Sequence, residues 1–163
     1  MNEIATKPVP NRLPAELVSS SLFLLKRLGM TAKEQSFGRY EDAGLHPYHH
    51  AILAVLDEGS RETQGAIADA LGYDRGQLVG LLDELESAGL VERERDANDR
   101  RRHVVKMTPA GRKTLARLRK LAAEHENEFF GVLDESDRQT LHEILRRLAE
   151  EHVPVCRFAA PRS

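Results

Sequence analysis

The sequence predicts a mainly α-helical fold with one small β-hairpin, and three observations lead to that prediction. Between residues 60 and 90, two helical patterns are separated by a short break at Gly72-Tyr73. Two short β-prone segments follow, on either side of a polar stretch with three consecutive arginines. Leucines at helical spacing then occupy both ends of the chain. We therefore expect a helix-turn-helix with a β-ribbon, flanked by helices from both termini.

The first helix of the central pair is predicted over residues 64–71. Thr63 precedes it as a cap, and Ile67 and Leu71 lie four residues apart on one face. After the break, Asp74 can cap the free amides of a second helix. Two helices joined by so short a turn form a helix-turn-helix.

The second helix has one apolar face and one face of small and polar residues. Positions i, i+3, i+4 and i+7 of its apolar face hold Leu78, Leu81, Leu82 and Leu85. On the opposite face stand Gly76 and Gly80, and each glycine costs a helix about 1 kcal/mol relative to alanine. Either these glycines let the helix backbone approach the floor of a DNA major groove, or packing elsewhere in the fold tolerates them.

A β-hairpin is predicted after this helix, which should end near Gly89. Residues 90–95 alternate charge on a β-prone segment, and residues 103–107 form a second short strand. The polar tip between them, residues 96–102, contains the three arginines. A β-ribbon after a helix-turn-helix is a wing, and an arginine at its tip can enter a narrow minor groove, where the potential is most negative. The alternative is a solvated charge run.

Charge is unevenly distributed along the chain. The 163 residues are 31% charged and 40% hydrophobic, with a formal net charge of −2, which is typical of a globular protein with one core. Residues 91–120 nevertheless hold eleven bases against four acids. Local charge, rather than the total, sets the attraction to phosphate. With no apolar run of membrane-spanning length and no signal peptide in residues 1–14, we expect a cytoplasmic protein without a membrane partner.

Residues 45–130 resemble the winged helix of the MarR family of bacterial transcription regulators. The shared order and spacing are carried by Leu45-x-Pro47, Leu71-Gly72, Leu85-Glu86-Ser87-Ala88-Gly89-Leu90-Val91, Asp99-x-Arg101 and Thr108-Pro109-Ala110-Gly111. The resemblance implies a transcription regulator that binds double-stranded DNA as a homodimer. In that family a wing aspartate braces an arginine that reaches the minor groove, and these roles fall on Asp99 and Arg101. Arg100 and Arg102 would either contact phosphates or make no required contact with DNA.

The recognition helix departs from the family pattern, in which small hydroxyl residues and an arginine are usual. Gln77 could bond an adenine edge, Val79 could meet a thymine methyl, and Arg75 could take a phosphate or a guanine. Glu84 would repel phosphate, so we expect modest affinity that relies on the wing and on DNA shape. The residues predicted to contact DNA are Thr63, Arg75, Gly76, Gln77, Val79, Gly80, Asp99, Arg100, Arg101 and Arg102.

The two chain ends are predicted to form a dimerisation region. Residues 1–44 would be an N-terminal dimerisation helix, residues 45–107 the DNA-binding domain, and residues 108–163 the C-terminal dimerisation helices and tail. The early helix would run to about Glu34, and Thr108 and Asp134 would cap the two late ones. The predicted apolar faces comprise Leu13, Leu17, Leu24 and Leu28, then Leu115, Leu118, Leu121 and Ala122, then Leu141, Ile144, Leu145 and Leu148.

A second copy is the expected partner for these faces, because the winged core is small. A two-fold dimer presents two recognition helices to an inverted-repeat operator with half-sites about one helical turn apart. The alternative is an intramolecular bundle in a monomer.

Effector binding is implied by the resemblance, since family members often bind aromatic or phenolic ligands where the first and second helices meet the winged core. The lining here would be Phe37, Arg39, Tyr40 and His50. A helix shift on binding would change the distance between the recognition helices and release the operator.

Two other sensing chemistries stay open. His46, His49 and His50 lie at i, i+3 and i+4, which suits either a metal or helix capping and surface packing. Cys156, the only cysteine, is either an oxidant sensor or a thiol without a role.

No enzyme is expected, because the chain has no Gly-rich phosphate loop, nucleophile motif or metal-ligand array. We accordingly predict no catalytic residue, metal ligand or cofactor. The leading interpretation is a repressor released by a small molecule. The alternatives are a winged-helix protein-interaction module without specific DNA binding, and a metal- or redox-responsive regulator.

Overall fold

Helices make up most of the structure, a computed structural model that describes residues 12–42, 44–59 and 61–156. Within these ranges the α-helices are α1 Ala15–Val18, α2 Ser21–Asp42, α3 Pro47–Gly59, α4 Gln64–Leu71, α5 Arg75–Ser87, α6 Pro109–Phe129 and α7 Glu135–His152. The strands are β1 Arg61–Thr63, β2 Val91–Arg95 and β3 His103–Met107, and a short 3-10 turn follows at Pro154–Cys156. The predicted mainly α fold with a small β-wing is confirmed. None of the described helices has both the length and the apolar character needed to cross a membrane.

The chain divides into two compact units, residues 1–35 and 36–163. The first unit contains α1 and the first part of α2, and the second contains the remaining helices and the sheet. In the first unit, the four leucines predicted for one helix face are between 39% and 54% exposed: Leu13, Leu17, Leu24 and Leu28. Among the described residues, each of these side chains therefore keeps a large part of its surface exposed.

The first helical segment differs from its prediction in two respects. The prediction of a single helix that ends near Glu34 was wrong. The segment is interrupted between α1 and α2, and α2 continues beyond Glu34. At the interruption the hydroxyl of Ser19 donates to the carbonyl of Glu16 at 2.9 Å. The hydroxyl of Ser20 accepts from the amide of Phe23 at 3.3 Å. Two adjacent serines thus end one helix and start the next, through side-chain bonds that compete with the helical backbone pattern.

The hydrophobic core of the second unit is built around the inner face of α5. The four predicted leucines of this face are at most 7% exposed, which confirms the stripe. Other helices and strands contribute Ile52, Leu53, Leu56, Ile67, Val91, Val105, Leu115 and Leu118, all at most 1% exposed. Full burial of such a side chain is worth about 1.5–3 kcal/mol. One face of α5 is therefore anchored along its length, while the opposite face is left to solvent.

The turn between α4 and α5 is set by local side chains. Gly72 ends α4 with a φ of 65°, a left-handed conformation that glycine adopts without strain. The hydroxyl of Thr63 accepts from the amide of Ala66 at 3.1 Å, and the carboxylate of Asp74 accepts from two amides of the first turn of α5 at 2.8 and 3.1 Å. Both predicted caps are confirmed, and with them the helix-turn-helix.

The antiparallel sheet has the strand order β1-β3-β2, so the predicted hairpin carries an additional edge strand. In β1 Glu62 pairs with Val105, and in β2 Arg93 pairs with the same residue from the other side. The three-residue β1 was not predicted, because it lacks alternating apolar positions. It exists by pairing with β3, and it carries the chain directly into α4.

The start of α6 is locked to the end of α5. The hydroxyl of Thr108 donates to the carbonyl of Gly89 at 2.8 Å and accepts from the amide of Gly111 at 3.0 Å. Pro109 occupies the first turn of the helix, as predicted. Gly111 passes so close to the backbone of Leu90 that a Cβ atom there would collide with the carbonyl oxygen. This contact fixes the wing base against the long helix.

The last helix, α7, begins after the predicted cap Asp134 and buries none of its residues. Ile144 and Leu148 on its predicted apolar face are 47% and 44% exposed. The 3-10 turn that follows places Val155 against Gly72, at the end of α4. The apolar face of α7 is therefore partly exposed in the portion of the chain that the structure describes.

Candidate nucleic-acid interface

The outward face of α5 is formed by the predicted residues Arg75, Gly76, Gln77, Val79 and Gly80. All five are exposed, and they occupy the first two turns of the helix, opposite the buried leucines. Little side-chain volume projects from this face, because two of its positions are glycine. Val79 is the one apolar side chain among the five. A surface of this shape allows a helix backbone to come close to the base edges in a major groove.

The two glycines of the outward face have different surroundings. A Cβ atom on Gly76 would lie 3.0 Å from the Oδ1 atom of Asp74, the cap of the same helix. A Cβ atom on Gly80 would meet nothing within 4 Å. The tight cap gives a local reason for Gly76, whereas packing within the chain gives none for Gly80.

Thr63, the other residue predicted to contact DNA from this motif, lies at the junction of β1 and α4. Its half-buried side chain caps α4, and its backbone pairs with Val104 of β3. The structure therefore gives Thr63 a role in the fold, at the start of α4 and outside the outward face of α5.

The wing tip is a compact turn closed by its own backbone and side chains. The amide of Asp96 donates to the carbonyl of Arg102 at 3.0 Å, and the amide of Arg102 donates to the carbonyl of Asp99 at 2.9 Å. The side chain of Asp99 accepts from the amide of Arg101 at 3.0 Å and from its Nε atom at 3.4 Å. Asp99 thus orients Arg101, whose side chain is 93% exposed.

The neighbouring arginines complete a positively charged tip. Arg100 is exposed, and Arg102 is 68% exposed with its Nε atom 3.5 Å from the second carboxylate oxygen of Asp99. Asp99 therefore contacts two of the three guanidinium groups, and the tip keeps a net positive charge because residues 96–102 hold three arginines against two aspartates. An arginine held in this way is suited to a narrow minor groove, and its neighbours to the flanking phosphates.

The base of the wing is tied to α5 by Arg93. Its Nε atom lies 3.0 Å from Oε2 of Glu86, its Nη2 atom lies 2.5 Å from the same oxygen, and Nη2 also lies 2.6 Å from Oδ1 of Asp83. The guanidinium lowers the pKa of the Glu86 carboxyl by direct hydrogen bonding. Arg93 was counted in the sequence only as part of the local positive charge, but its charge is committed to two carboxylates of the recognition helix.

A second contact engages the remaining acid of this part of α5. The Nε2 atom of His49 in α3 lies 2.8 Å from Oε2 of Glu84, and the imidazole is only 12% exposed. Burial lowers the pKa of His49 more than the bond to Glu84 raises it. The Glu84 carboxylate, predicted to repel phosphate, is therefore hydrogen-bonded to the protein.

Sequence reasoning did not identify either partner of these acids. Asp83 and Glu86 are three residues apart and so share a helix face, and Arg93 follows seven residues after Glu86. That spacing is a weak signal for a contact across the helix-to-wing turn. The bond between His49 and Glu84 spans 35 residues, and no local pattern could have predicted it.

Contacts within the second unit engage all four residues predicted to line an effector site, and two of them, Tyr40 and His50, contact each other. The Tyr40 hydroxyl lies 2.8 Å from Nδ1 of His50, and Tyr40 is 4% exposed. Arg39 forms an ion pair with Glu128 of α6. Phe37 packs edge-on against the rings of His46 and Tyr48, with centroids 5.1 and 5.9 Å apart. The end of α2 is thus lined by aromatic and basic side chains against α3 and α6.

Burial perturbs the titration of the central pair in this cluster. It raises the pKa of Tyr40, and it lowers the pKa of His50, to which the positive charge of Arg119 adds. The neutral forms of both groups are therefore favoured, and one neutral hydrogen bond joins α2 to α3.

The histidines considered for metal binding turn to different partners. His49 bonds Glu84, His50 bonds Tyr40, and the ring of His46 packs against Phe37. Within residues 12–42, 44–59 and 61–156, no three acidic, histidine or cysteine side chains are grouped so as to hold a metal ion. The half-buried Cys156 lies in the 3-10 turn after α7.

Comparison with known proteins identifies what these features have in common. Residues 43–102 match the model of the MarR family. A transcriptional regulatory protein assigned to the hcr operon of Thauera aromatica is 34% identical over 149 residues, which cover 87% of this chain and 89% of that protein. The transcriptional repressor CouR, solved bound to a 23-mer DNA duplex, is 34% identical with a TM-score of 0.77, over 85% of this chain and 99% of that one.

A more distant neighbour shares the same fold. BpsR of Bordetella bronchiseptica, whose DNA binding is regulated by 6-hydroxynicotinic acid, has a TM-score of 0.72 over 84% of this chain and 98% of that one, at 21% identity. The matches to the Thauera aromatica protein, CouR and BpsR each cover more than four fifths of this chain. This chain therefore belongs to the MarR family of winged-helix transcriptional regulators.

Proposed function

We propose that this regulator is a cytoplasmic homodimeric repressor, which occupies an inverted-repeat operator and is released by a small aromatic or phenolic effector. The observation that carries the proposal is the exposed Arg101, oriented by Asp99 at the tip of a wing that follows an exposed recognition helix. CouR, a repressor with 34% identity over most of the chain, supports the same assignment.

Each protomer would contact the duplex in two grooves. The outward face of α5 enters the major groove, where Gln77 bonds an adenine edge, Val79 meets a thymine methyl and Arg75 takes a phosphate or a guanine. The wing places Arg101 in the adjacent minor groove. Arg100 and Arg102 contact phosphates, Asp99 holds the tip, and the glycines of α5 allow close approach. Thr63 contributes from the start of α4.

The dimer supplies the second half of the operator contact. Apolar side chains remain exposed on both chain ends, among them Leu17 and Leu28 in the first unit and Ile144 and Leu148 in α7. A second copy could cover these faces with the same faces of its own. The two copies would then be related by a two-fold axis. Two recognition helices related by that axis suit half-sites about one helical turn apart.

An effector is proposed to act where α2 meets α3 and α6. The aromatic ring of Phe37 and the polar groups of Tyr40 and His50 suit an aromatic ligand, and Arg39 suits an acidic substituent. A ligand there would compete with the bond between Tyr40 and His50 and with the ion pair between Arg39 and Glu128. These contacts join the helices of this region, so displacing them would shift the recognition helices out of operator register.

Substitution of Arg101 tests the DNA-binding proposal most directly. Arg101→Ala should weaken binding to operator and to unrelated DNA by about tenfold, and should make the affinity less dependent on salt by about one phosphate contact. The measurement is fluorescence anisotropy of promoter fragments flanking the gene, titrated at several salt concentrations. Gln77→Ala should instead change which sequence is preferred.

A matched control removes another exposed arginine. Arg147→Ala in α7 deletes the same charge away from the wing, and it should leave both the affinity and the salt dependence as in the parent. If Arg101→Ala binds as tightly as the parent, the wing assignment is wrong. If the affinity of the parent protein for promoter DNA barely changes with salt concentration, phosphate contacts do not dominate the binding. That result would favour a winged-helix protein-interaction module without specific DNA binding.

A further inference from the structure

Arg93 and the two carboxylates it contacts form a clamp between the recognition helix and the wing; we call Arg93, Asp83 and Glu86 the Arg93 clamp. Besides its three side-chain contacts, Arg93 donates its backbone amide to Oε1 of Glu86 at 3.1 Å. Glu86 thus receives the main chain of β2 on one oxygen and its guanidinium on the other. The arginine side chain is only 22% exposed, so the clamp is partly shielded from water and salt.

The position of the clamp in the chain determines what it can control. The chain leaves α5 at Ser87 and reverses through Gly89, whose φ is 70°, to enter β2 at Val91. The reversal determines where β2 begins, and the direction of β2 relative to α5 is then set by the side-chain contacts between the two elements. A planar guanidinium with donors in a fixed arrangement restricts that direction, because two separate carboxylates must be met at once.

From this geometry we propose that Arg93 is a positioning residue for DNA binding, which fixes the wing tip relative to the outward face of α5. In this role Arg93 does not contact the duplex. It sets the separation between Arg101 and Gln77, so that one protomer reaches a minor and a major groove of the same duplex together. The inference rests on the proposed DNA-binding function, and it names Arg93 as the residue that sets the spacing between the two DNA-contacting parts of one protomer.

A positioning role of the clamp and simple electrostatics predict opposite changes in DNA affinity when an acidic residue of the clamp is neutralised. Removing the charge of Glu86 takes a carboxylate away from the DNA-binding side of the protein, so electrostatics alone predicts equal or tighter DNA binding. If the clamp positions the wing, the same change weakens binding, because a glutamine at this position has one acceptor oxygen and cannot receive the Arg93 backbone amide on one oxygen and its guanidinium on the other. The sign of the effect therefore distinguishes the two explanations.

The first experiment measures operator affinity by fluorescence anisotropy for full-length Glu86→Gln and Arg93→Lys. We expect each to bind the operator about tenfold more weakly, since lysine keeps the charge but cannot meet two carboxylates in the same geometry. Glu92→Gln is the matched control, because Glu92 is an exposed glutamate next to Arg93 in β2 and lies outside the clamp. The operator affinity of this variant should equal or slightly exceed that of the parent. Equal or tighter binding by Glu86→Gln would overturn the proposal.

The second experiment measures coupling between the clamp and the wing tip. Arg101→Ala is compared in the parent and in an Arg93→Ala background, and Gln77→Ala serves as the comparison in both. If the clamp positions the wing, the loss caused by Arg101→Ala should fall from about tenfold in the parent to less than about threefold without Arg93, while the loss caused by Gln77→Ala is retained.

The outcomes separate the clamp from general destabilisation and from the proposed function itself. If Arg93 only stabilised the fold, Arg101→Ala would cost the folded protein the same in both backgrounds, and the clamp would be refuted; circular dichroism establishes that each variant is folded at the temperature of the titration. Should Arg101→Ala have no effect even in the parent, the wing has no DNA contact to position and both proposals fall.

Discussion

At the scale of single residues, glycines are informative because their surroundings differ. Gly111 is required by the fold, since a Cβ atom there would collide with the backbone of Leu90. Gly76 is crowded by the cap carboxylate of Asp74. Gly80 has open space around it inside a helix, where glycine costs about 1 kcal/mol relative to alanine. Among the residues that the structure describes, no packing contact at Gly80 offsets that cost, which is consistent with a constraint from a bound duplex.

Gly80→Ala should therefore separate stability from binding. We expect the free energy of unfolding to rise by up to about 1 kcal/mol, because alanine is the better helix former. Operator affinity should fall, because the methyl group would stand between the helix backbone and the groove. Urea unfolding and anisotropy titration measure the two effects on the same preparation.

Gly38→Ala provides the control for this prediction, since Gly38 lies within α2 and likewise has nothing within 4 Å of an added Cβ atom. It should become more stable without losing operator affinity. If Gly80→Ala binds DNA as well as the parent, the glycine is merely tolerated and the recognition helix does not approach the groove floor closely.

The side-chain roles that could be predicted from the sequence are those that act over three or four residues. Thr63, Asp74, Thr108 and Asp134 cap the helices expected of them, because a cap needs only the amides that follow it. Arg93 could not be assigned in this way. Its acceptors are determined by the angle between α5 and β2, which depends on tertiary packing.

At the scale of elements, the predictions were weakest where an element exists only through a neighbour. β1 has three residues and little β-propensity, and it forms because β3 offers an edge with free backbone groups. The break between α1 and α2 depends on Ser19 and Ser20, two residues that helices also tolerate. The strongly patterned α5 and α6, by contrast, follow from their buried stripes.

The junction of α2 and α3 makes the stability of the second unit depend on pH. The pKa values of His49 and His50 are lowered in the folded protein, chiefly by burial, so the unfolded chain binds more protons below about pH 6.5. The stability that these histidines contribute is complete above that pH and is lost as the pH falls below it. We expect urea unfolding at pH 5.5 to give a smaller free energy than at pH 7.5.

Replacing His50 identifies the source of this dependence. His50→Gln removes one of the two titrating groups, so the difference in unfolding free energy between pH 7.5 and 5.5 should shrink. His152→Gln, at the exposed end of α7, should leave the difference unchanged. An unaltered pH dependence in His50→Gln would mean that this imidazole titrates alike in the folded and unfolded chain.

At the scale of the whole molecule, the arrangement of charge is more selective than the composition indicates. The stretch from residue 91 to 120 is rich in bases, yet several are neutralised locally: Arg93 by Asp83 and Glu86, Lys106 by Glu94 and Arg119 by Asp57. At the wing tip, Asp99 contacts Arg101 and Arg102, whose side chains remain 93% and 68% exposed. The exposed Arg101 and Arg102 of the tip therefore differ from Arg93, Lys106 and Arg119, which are paired with acids within 2.8 Å, a distinction that counting charges along the sequence could not make.

The unpartnered helical faces carry the last prediction, which concerns the assembly. The division into residues 1–44, 45–107 and 108–163 stays a prediction, and a dimer is what would join its first and third parts. Leu148→Glu places a charge on the apolar face of α7, where a second copy is expected to cover it. Burying an unpaired carboxylate costs several kcal/mol, so the dimer should dissociate.

Light scattering coupled to size-exclusion chromatography measures the mass of the parent and of the variant. The parent should run as a dimer and Leu148→Glu as a monomer, and the variant should lose operator affinity because each protomer then binds a single half-site. Val132→Glu is the control, since Val132 is 93% exposed in the turn between α6 and α7 and belongs to neither apolar face. A parent that is monomeric at micromolar concentration would refute the dimer, and with it the inverted-repeat operator.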